Sequence, residues 1–168
     1  MDNNVTVILI SHRSKELVLK FIENIYNKFE IVIIDNSNDK ELENELLINY
    51  PKINFKIIDN YGYGAAINYG RRLVKTKYFL VSNPDITGIN EEKINQFLEA
   101  AVQLNNKFSV LGPRFLNTNP KSHKQSRDIY DIAEMQFLSG ACMFFNKKNF
   151  DLVGGFDENF FLYFEEND

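Results

Sequence analysis

The sequence predicts an α/β fold with a mostly parallel central sheet, helices on its faces and a Rossmann-like N-terminal half. Short, nearly continuous apolar runs alternate along the chain with segments in which apolar residues recur at helical spacing. Such runs suit strands that are buried on both faces, and their alternation with helices is typical of a parallel sheet. The strand candidates are residues 5–10, 31–34, 53–58 and 78–81, and the helix candidates are residues 15–27, 41–50 and 65–75.

The middle of the chain is less regular. A helix is predicted over residues 91–105, with Asn90 as its N-cap, and a strand over residues 108–111. Residues 114–127 are basic, contain no acidic residue and have little apolar content. This composition favours an exposed loop, which is more common than a loop that touches a lipid-linked acceptor.

Apolar residues become frequent again after this basic segment. A strand is predicted over residues 137–145, and Asn146 can cap a short helix that Gly154 and Gly155 end. The 168 residues are 44% hydrophobic and show no repeat, low-complexity tract or linker. The sequence therefore predicts one domain over residues 1–168.

Charge and cysteine content narrow the classes of function. A formal net charge of −4 argues against nucleic-acid binding, which depends on Lys and Arg side chains that neutralise many phosphates. Cys142 is the only cysteine, so no intramolecular disulfide forms, and this suits the reducing cytoplasm. No apolar stretch reaches the roughly 20 residues of a membrane-spanning helix. The sequence predicts a cytoplasmic protein, at most in peripheral contact with the inner face of the plasma membrane.

Polar residues follow the apolar runs at the points where the predicted strands end. Ligands bind at the carboxyl ends of parallel strands, so these residues are expected to line one edge of the sheet. Asp35, Asn36 and Ser37 can hydrogen-bond a pyrimidine edge and a ribose, although the same types are ordinary turn residues. The other polar residues at these ends are Ser11, Asp59, Asn60, Asn83 and Asp85.

A glycine-rich turn opens the third predicted helix, within residues 60–70. The N–H groups and the dipole at a helix start can receive an anion such as a phosphate. The turn partly matches the dinucleotide-binding fingerprint, but Ile67 stands at the third glycine position, and the turn follows the third strand candidate rather than the first. The structural alternative is that Gly62 and Gly64 permit a tight turn.

Two acidic features can serve catalysis. Asp85 lies in a turn that Pro84 rigidifies, and one carboxylate with substrate phosphates is enough to bind Mg²⁺ or Mn²⁺; a capped turn is the alternative. Near residue 168, acidic residues adjoin a block of aromatic residues, an arrangement that can produce a general base. The alternative is a solvated helix start beside core aromatics. The candidate bases are Glu165, Glu166 and Asp168.

The ordered set of motifs resembles the family 2 glycosyltransferases with a GT-A fold, especially the bacterial rhamnosyltransferase-like branch that builds surface polysaccharides. The resemblance covers nearly the whole chain, and the order and spacing of the motifs are more specific than any one of them. The motifs are Ser11 after the first strand, Asp35-Asn36-Ser37, Asn60-x-Gly62-x-Gly64-x-x-x-Asn68-x-Gly70, Asn83-Pro84-Asp85, residues 137–141, and residues 154–158 running into residues 160–168.

The resemblance implies a hexosyltransferase, such as a rhamnosyltransferase, that acts with inversion. Its donor would be a dTDP- or UDP-linked sugar, and its acceptor a hydroxyl of a glycan or lipid-linked glycan in O-antigen, capsule or cell-wall synthesis. Asp35 would contact the nucleotide base, and Asp85 would bind the diphosphate through Mg²⁺ or Mn²⁺. The residues implied to bind the nucleotide sugar are Ser11, Asp35, Asn36, Asn60, Gly62, Gly64, Asn68 and Asn83.

The catalytic base and the end of the sequence differ from the family pattern. Glu166 stands at the family's usual catalytic aspartate, which implies that Glu166, Glu165 or Asp168 supplies the base. Family members continue past this motif into acceptor-side helices that these 168 residues lack. Two alternatives stay open: a non-catalytic sugar-nucleotide-binding fragment and a nucleotidyltransferase. The second class normally has a glycine-rich basic loop after the first strand, and residues 11–14 contain no glycine.

Overall fold

A computed structural model describes residues 4–114, 132–135 and 137–162 of the chain. Within them, six strands form a sheet in the order β3-β2-β1-β4-β6-β5. The pairs β1–β2, β2–β3 and β1–β4 are parallel, whereas β6 is antiparallel to both of its neighbours. The strands are β1 (Val5–Ser11), β2 (Glu30–Asp35), β3 (Asn54–Ile57), β4 (Tyr78–Ser82), β5 (Val110–Leu111) and β6 (Cys142–Asn146).

Helices cover both faces of this sheet and enclose two hydrophobic cores. The buried residues of α1, α2 and α4 join one core, and those of α3 and α5 join the other. Because side chains alternate along a strand, Val7 of β1 points into the first core and Ile8 into the second. The helices are α1 (Lys15–Ile22), α2 (Lys40–Asn49), α3 (Tyr63–Arg72), α4 (Glu91–Gln103) and α5 (Lys147–Val153).

Aromatic rings fill the cores on both sides of β6. Phe144 is fully buried in the first core, with its ring centroid 5.1 Å from that of Phe97 and 5.3 Å from that of Tyr78. Phe145 points to the second core and lies 5.0 Å from Phe150 of α5. The alternation along β6 therefore joins both cores to the same strand.

The predicted helix caps are confirmed. Asn90 accepts a hydrogen bond from the Lys93 N–H at 3.0 Å, and Asn146 accepts one from the Asn149 N–H at 3.4 Å. Gly154 ends α5 in the left-handed region with φ of +94°, where glycine carries no Cβ penalty.

The last two strands depart from the prediction. The strand predicted over residues 137–145 begins only at Cys142, because the chain turns at Gly140 and Ala141, and Phe137 is 69% exposed. The strand predicted over residues 108–111 is reduced to β5, which pairs with β6. Both run antiparallel to their neighbours, so the sheet is mixed, with its parallel part in β1 to β4.

Two further elements differ in detail. The β3 strand was predicted to be buried on both faces, but it is an edge strand whose residues are exposed or half-buried. Helix α1 ends at Ile22 rather than near residue 27, where Asn27 adopts a φ of +65°. Tight turns continue the helical spacing beyond α1, so Ile25 is still fully buried.

Several sequence predictions fall outside the described residues. These are the basic segment beyond Arg114, which spans residues 115–127, and the candidate bases Glu165, Glu166 and Asp168. Among the residues that are described, no helix has the length and apolar character needed to cross a membrane. The single domain over residues 1–168 stays a prediction.

Candidate functional site

The carboxyl ends of β1, β2 and β4 meet at one edge of the sheet. In the parallel register Ser11 lies beside Asp35, and Leu9 lies beside Ser82. The chain passes from β1 to β2 on one side and later returns to β4 on the other, so the topological switch point lies between β1 and β4. Ligands of open α/β sheets bind in the crevice outside such a point. The predicted polar residues that follow these strands do share this edge.

Asp35 is fully buried, and its own loop holds its carboxylate. Oδ1 accepts hydrogen bonds from the N–H groups of Ser37 and Asp39, both at 3.0 Å, and Oδ2 accepts one from the Ser37 hydroxyl at 2.9 Å. These donors offset the cost of burying a carboxylate. Asp35 thus fixes the turn after β2, and its contact with a nucleotide base stays a prediction.

A row of hydrogen-bonded side chains crosses the ends of β1, β2 and β3. His12 Nδ1 lies 2.8 Å from Asn36 Oδ1, and Asn36 Nδ2 donates to Asn60 Oδ1 at 3.1 Å. The Gly62 N–H donates to the same Asn60 oxygen at 3.2 Å, and the Asn36 N–H donates to the Ser11 carbonyl at 3.0 Å. This polar row, His12-Asn36-Asn60, ties three loops together, and its side chains face solvent.

The Asn83-Pro84-Asp85 motif forms a turn at the end of β4. The Asn83 N–H donates to the Ala141 carbonyl at 2.9 Å, and the Asn83 carbonyl accepts from the Ile86 N–H at 3.2 Å. The second bond closes a reverse turn with Pro84 at its second position, where its fixed φ is favourable. Asp85 is exposed at this turn, so its carboxylate is accessible from the sheet edge.

The oxygen-bearing side chains at this edge fit a metal site that has few protein ligands. Among the described residues, no group of three or more His, Cys, Asp or Glu side chains could hold a metal ion. Mg²⁺ and similar ions are usually bound by one or two carboxylates with substrate phosphates and water, so a single exposed carboxylate on a rigid turn suffices. Asp85 meets that requirement.

The start of α3 receives the chain's own C-terminal segment, where the sequence predicted an anion. The Tyr63 N–H donates to the Phe161 carbonyl at 3.0 Å, and the neighbouring Gly62 N–H is bonded to Asn60. Gly62 has φ of +105°, and a Cβ there would lie 2.3 Å from the Phe161 oxygen. Glycine is therefore required by the backbone conformation and by the close approach of residue 161.

Asn68 was predicted to bind the nucleotide sugar, but its side-chain amide is engaged within the protein. Oδ1 accepts from the Phe156 N–H at 3.0 Å, and Nδ2 donates to the Phe156 carbonyl at 2.9 Å and to Glu158 Oε1 at 3.0 Å. The structure thus places Asn68 against residues 156–158 and away from the polar row.

The remaining glycine and apolar positions of this motif belong to the core. Gly64 is buried in the first turn of α3, and Ile67 is fully buried in the second core. Gly70 packs on β1 so closely that a Cβ would lie 2.9 Å from Ile8 Cγ2. Ile67 therefore fills the place of the third fingerprint glycine because α3 needs an apolar side chain there.

Cys142 lies at the same edge but is a core residue. It pairs with Ser82 across the sheet and is fully buried. Burial raises the pKa of the Cys142 thiol to about 12, although a hydrogen bond with Ser82 acts in the opposite direction. Since the thiolate is the nucleophilic form, Cys142 is not a nucleophile near neutral pH.

A depression of about 470 Å³ opens beside the polar row, at the starts of α1 and α2. Its volume lies within the range of small-molecule sites, roughly 300–1,000 Å³. The Arg13 N–H donates to Ser37 Oγ at 2.9 Å and so joins the depression to the turn that Asp35 holds. The lining includes Arg13, Ser14, Lys15, Ser37, Asp39 and Glu41.

A polar row and a rigid acidic turn at the carboxyl edge of a parallel sheet are typical of the ligand crevice of an open α/β fold. The chain belongs to the family described as glycosyl transferase family 2, whose sequence profile matches residues 6–156. It is 26% identical to the low-salt glycan biosynthesis hexosyltransferase Agl10 of Haloferax volcanii, over 99% of this chain and 60% of Agl10. It is 24% identical to the rhamnosyltransferase WbbL of Escherichia coli K12, over 98% of this chain and 74% of WbbL.

Solved structures agree on the fold, which is GT-A. The crystal structure of S. aureus TarS superimposes with a TM-score of 0.72 at 16% identity, over 98% of this chain and 32% of TarS. TarS 1–349 in complex with UDP gives a TM-score of 0.64, and its complex with UDP-GlcNAc gives 0.59. The GT-A fold and the family predicted from the motifs are therefore confirmed.

Sequence reasoning did not single out two contacts of this edge. His12 joins the polar row through Asn36, and its place directly after β1 is the signal that could have found it. The contact between Phe161 and the glycine-rich turn carries no such signal, because the Tyr63 N–H donates to a backbone carbonyl, a group that every residue possesses.

Proposed function

We propose that this chain is the donor-binding part of an inverting glycosyltransferase. It moves a sugar from a UDP- or dTDP-linked donor to a hydroxyl of a glycan or lipid-linked glycan in bacterial surface polysaccharide synthesis. The observation that carries the proposal is the polar row beside the switch point of a family 2 chain. The chain spans 60% of Agl10, so the activity of a whole protein is part of the proposal.

The donor lies across the carboxyl ends of β1 to β4. Asp35 orients the turn that receives the base, while Asn36 and Asn60 present amide groups to the base and ribose. Ser11 and Asn83 flank the switch point on β1 and β4, where the diphosphate crosses. The binding of UDP and UDP-GlcNAc by TarS, which shares the fold, supports UDP as the first nucleotide to test.

Transfer needs charge stabilisation at the diphosphate and a base at the acceptor. Asp85 would hold Mg²⁺ or Mn²⁺ together with the diphosphate; when bound, the ion stabilises the negative charge that develops on the leaving group. A carboxylate among Glu165, Glu166 and Asp168 takes the proton of the acceptor hydroxyl. That oxygen bonds to the anomeric carbon opposite the leaving group, the bond from the carbon to the diphosphate oxygen breaks, and the configuration inverts.

Thermal unfolding with UDP, dTDP, GDP and NAD, each with and without Mn²⁺, tests the proposal. A ligand present at 100 times its Kd adds about 2.7 kcal/mol to the free energy of unfolding, which raises Tm by roughly 5–10 °C for a chain of this size. We expect this shift for UDP or dTDP with Mn²⁺. Asp85→Ala should remove the part that depends on Mn²⁺, whereas Asp59→Ala, which removes another exposed carboxylate of the same edge, should retain it.

Each contrary result has a distinct meaning. Stabilisation by NAD alone would replace the proposal with a dinucleotide site, and no response to any nucleotide would reject donor binding by this chain. Full Mn²⁺-dependent stabilisation of Asp85→Ala would remove the metal assignment. Binding without donor hydrolysis or transfer, in a protein as long as the relatives, would favour a non-catalytic binding module. Release of pyrophosphate from a nucleoside triphosphate and a sugar phosphate would indicate a nucleotidyltransferase.

A further inference from the structure

The side-chain amide of Asn68 forms hydrogen bonds with both the backbone N–H and the backbone carbonyl of Phe156. It accepts from the Phe156 N–H at 3.0 Å and donates to the Phe156 carbonyl at 2.9 Å, as a neighbouring strand residue would. Nδ2 also donates to Glu158 Oε1 at 3.0 Å. This set of bonds between α3 and residues 156–158, called here the Asn68 clamp, uses both polar atoms of the amide.

Gly155 makes the clamp sterically feasible. Its φ is +85°, and a Cβ there would lie 2.6 Å from Asn68 Oδ1 and 3.2 Å from Asn68 Cγ. A larger residue at 155 would therefore collide with the atom that accepts the Phe156 N–H. The Gly-Gly pair after α5 thus has two uses, because Gly154 ends the helix and Gly155 admits the amide.

The Tyr63 N–H bond to the Phe161 carbonyl fixes the segment at the start of α3, whereas the other contacts of residues 156–158 do not set their position along the helix. The Phe156 ring lies 5.6 Å from that of Phe150 and 6.0 Å from that of Phe145, and such apolar packing tolerates sliding. The Arg72 guanidinium lies 3.9 Å from Glu158 and is largely exposed, so this ion pair contributes little. The directional bonds of the clamp fix the register.

We propose that Asn68 is a positioning residue that fixes the C-terminal segment against α3, rather than a ligand of the nucleotide sugar. The start of α3 adjoins the polar row through Gly62, and residues 156–158 lead along the chain towards Glu165, Glu166 and Asp168. The clamp therefore fixes the point on α3 from which the chain continues towards these acidic residues. Its catalytic consequence rests on the proposed function, whereas the clamp itself does not.

Hydrogen exchange and nucleotide affinity together test this role. In Asn68→Ala we expect the amides of residues 155–162 to exchange about 10–100 times faster, since the clamp bonds are lost. The Kd for UDP with Mn²⁺ should change less than twofold. In slow UDP-GlcNAc hydrolysis, kcat should fall about 10–100-fold with KM nearly unchanged, as for misplaced catalytic groups. Asn95→Ala, which removes an exposed asparagine side chain from the middle of α4, is the control.

Two substitutions that change charge distinguish the hydrogen bonds of the clamp from apolar packing at residue 68. Asn68→Asp keeps an oxygen for the Phe156 N–H but places a carboxylate beside Glu158, so exchange should rise at least as much as in Asn68→Ala. Adding Glu158→Gln supplies a donor to that carboxylate and should reverse part of the increase. A packing role for residue 68 gives no such dependence on residue 158.

The outcomes distinguish the clamp from the proposed function. Unchanged exchange at residues 155–162 in Asn68→Ala overturns the clamp whatever the nucleotide data show. A tenfold loss of UDP affinity without faster exchange returns Asn68 to the donor site. Faster exchange in a chain whose wild type binds no nucleotide retains the clamp and rejects the proposed function.

Discussion

Replacing Gly62 with alanine tests the contact between the glycine-rich turn and the C-terminal segment. The added Cβ meets the Phe161 carbonyl oxygen at 2.3 Å, a separation that atoms do not adopt, so residue 161 must move. Its carbonyl then no longer accepts the Tyr63 N–H. Gly88→Ala is the matched control, because Gly88 has a similar φ of +88°, but no atom of the described residues lies within 4 Å of its Cβ position.

The expected loss combines three terms. An alanine held at positive φ destabilises the folded state by about 1–3 kcal/mol, and the lost hydrogen bond by about 1 kcal/mol. The lower conformational entropy of the unfolded chain stabilises the folded state by about 0.4–1 kcal/mol. Gly62→Ala should therefore lower the free energy of unfolding by about 2 kcal/mol, which corresponds to roughly 4–8 °C in Tm. Gly88→Ala carries only the backbone and entropy terms and should cost about 1 kcal/mol.

Urea denaturation gives the free energies, and amide exchange by NMR reports the contact directly. The Tyr63 amide should lose its protection in Gly62→Ala and keep it in Gly88→Ala, since Phe161 supplies its acceptor. Equal losses of stability in the two variants, together with an unchanged Tyr63 amide, would refute the close approach of Phe161.

Three further perturbations test the site and the core. Asp35→Asn should lower the free energy of unfolding, measured by urea denaturation, by about 2–4 kcal/mol, because the new NH₂ group faces backbone and hydroxyl donors. Ser37→Ala should lower it by only about 1 kcal/mol. Equal losses in the two variants would contradict the buried geometry of Asp35. Phe144→Ala should cost about 3–5 kcal/mol and exposed Phe137→Ala under about 0.5 kcal/mol, and a small loss at Phe144 would argue against the stacked core. The raised pKa of Cys142 means that the folded state keeps a proton that the unfolded state loses, so stability should fall between about pH 9 and pH 12 by up to about 1.4 kcal/mol per pH unit. Cys142→Ala should remove that part of the slope, and an identical pH profile would contradict its burial.

The sequence was sufficient where a residue's role depends on its neighbours along the chain. The unbroken apolar run of β1 predicts a strand between two layers, and each of its faces does meet a separate core. Asn90 and Asn146 could be recognised as caps because a cap bonds an N–H three residues ahead. Ser11, Asp35 and Asn83 could be placed at one edge because parallel strands end together.

Contacts whose partner lies far along the chain could not be predicted. Asn68 bonds to Phe156 across a separation of 88 residues, and that partner is backbone, so its identity leaves no mark in the sequence. The close approach of the Phe161 carbonyl to Gly62 is of the same kind, and a phosphate at this helix start stays a prediction. The late start of β6 was missed because Phe137 faces solvent and the chain turns at Gly140 and Ala141, which composition alone does not reveal.

The antiparallel pair β5 and β6 has a consequence for how such a protein diversifies. Gly112 and Leu138 lie together, since a Cβ on Gly112 would be 3.0 Å from Leu138 Cδ2, so the two ends of the connection between them are in contact. Lengthening a connection whose two ends are in contact costs little conformational entropy, about 0.6 kcal/mol for each doubling of its length. Three residues after Leu138, the Ala141 carbonyl accepts the Asn83 N–H at the sheet edge. The length of the connection can therefore change at little cost to the sheet or to the turn after β4.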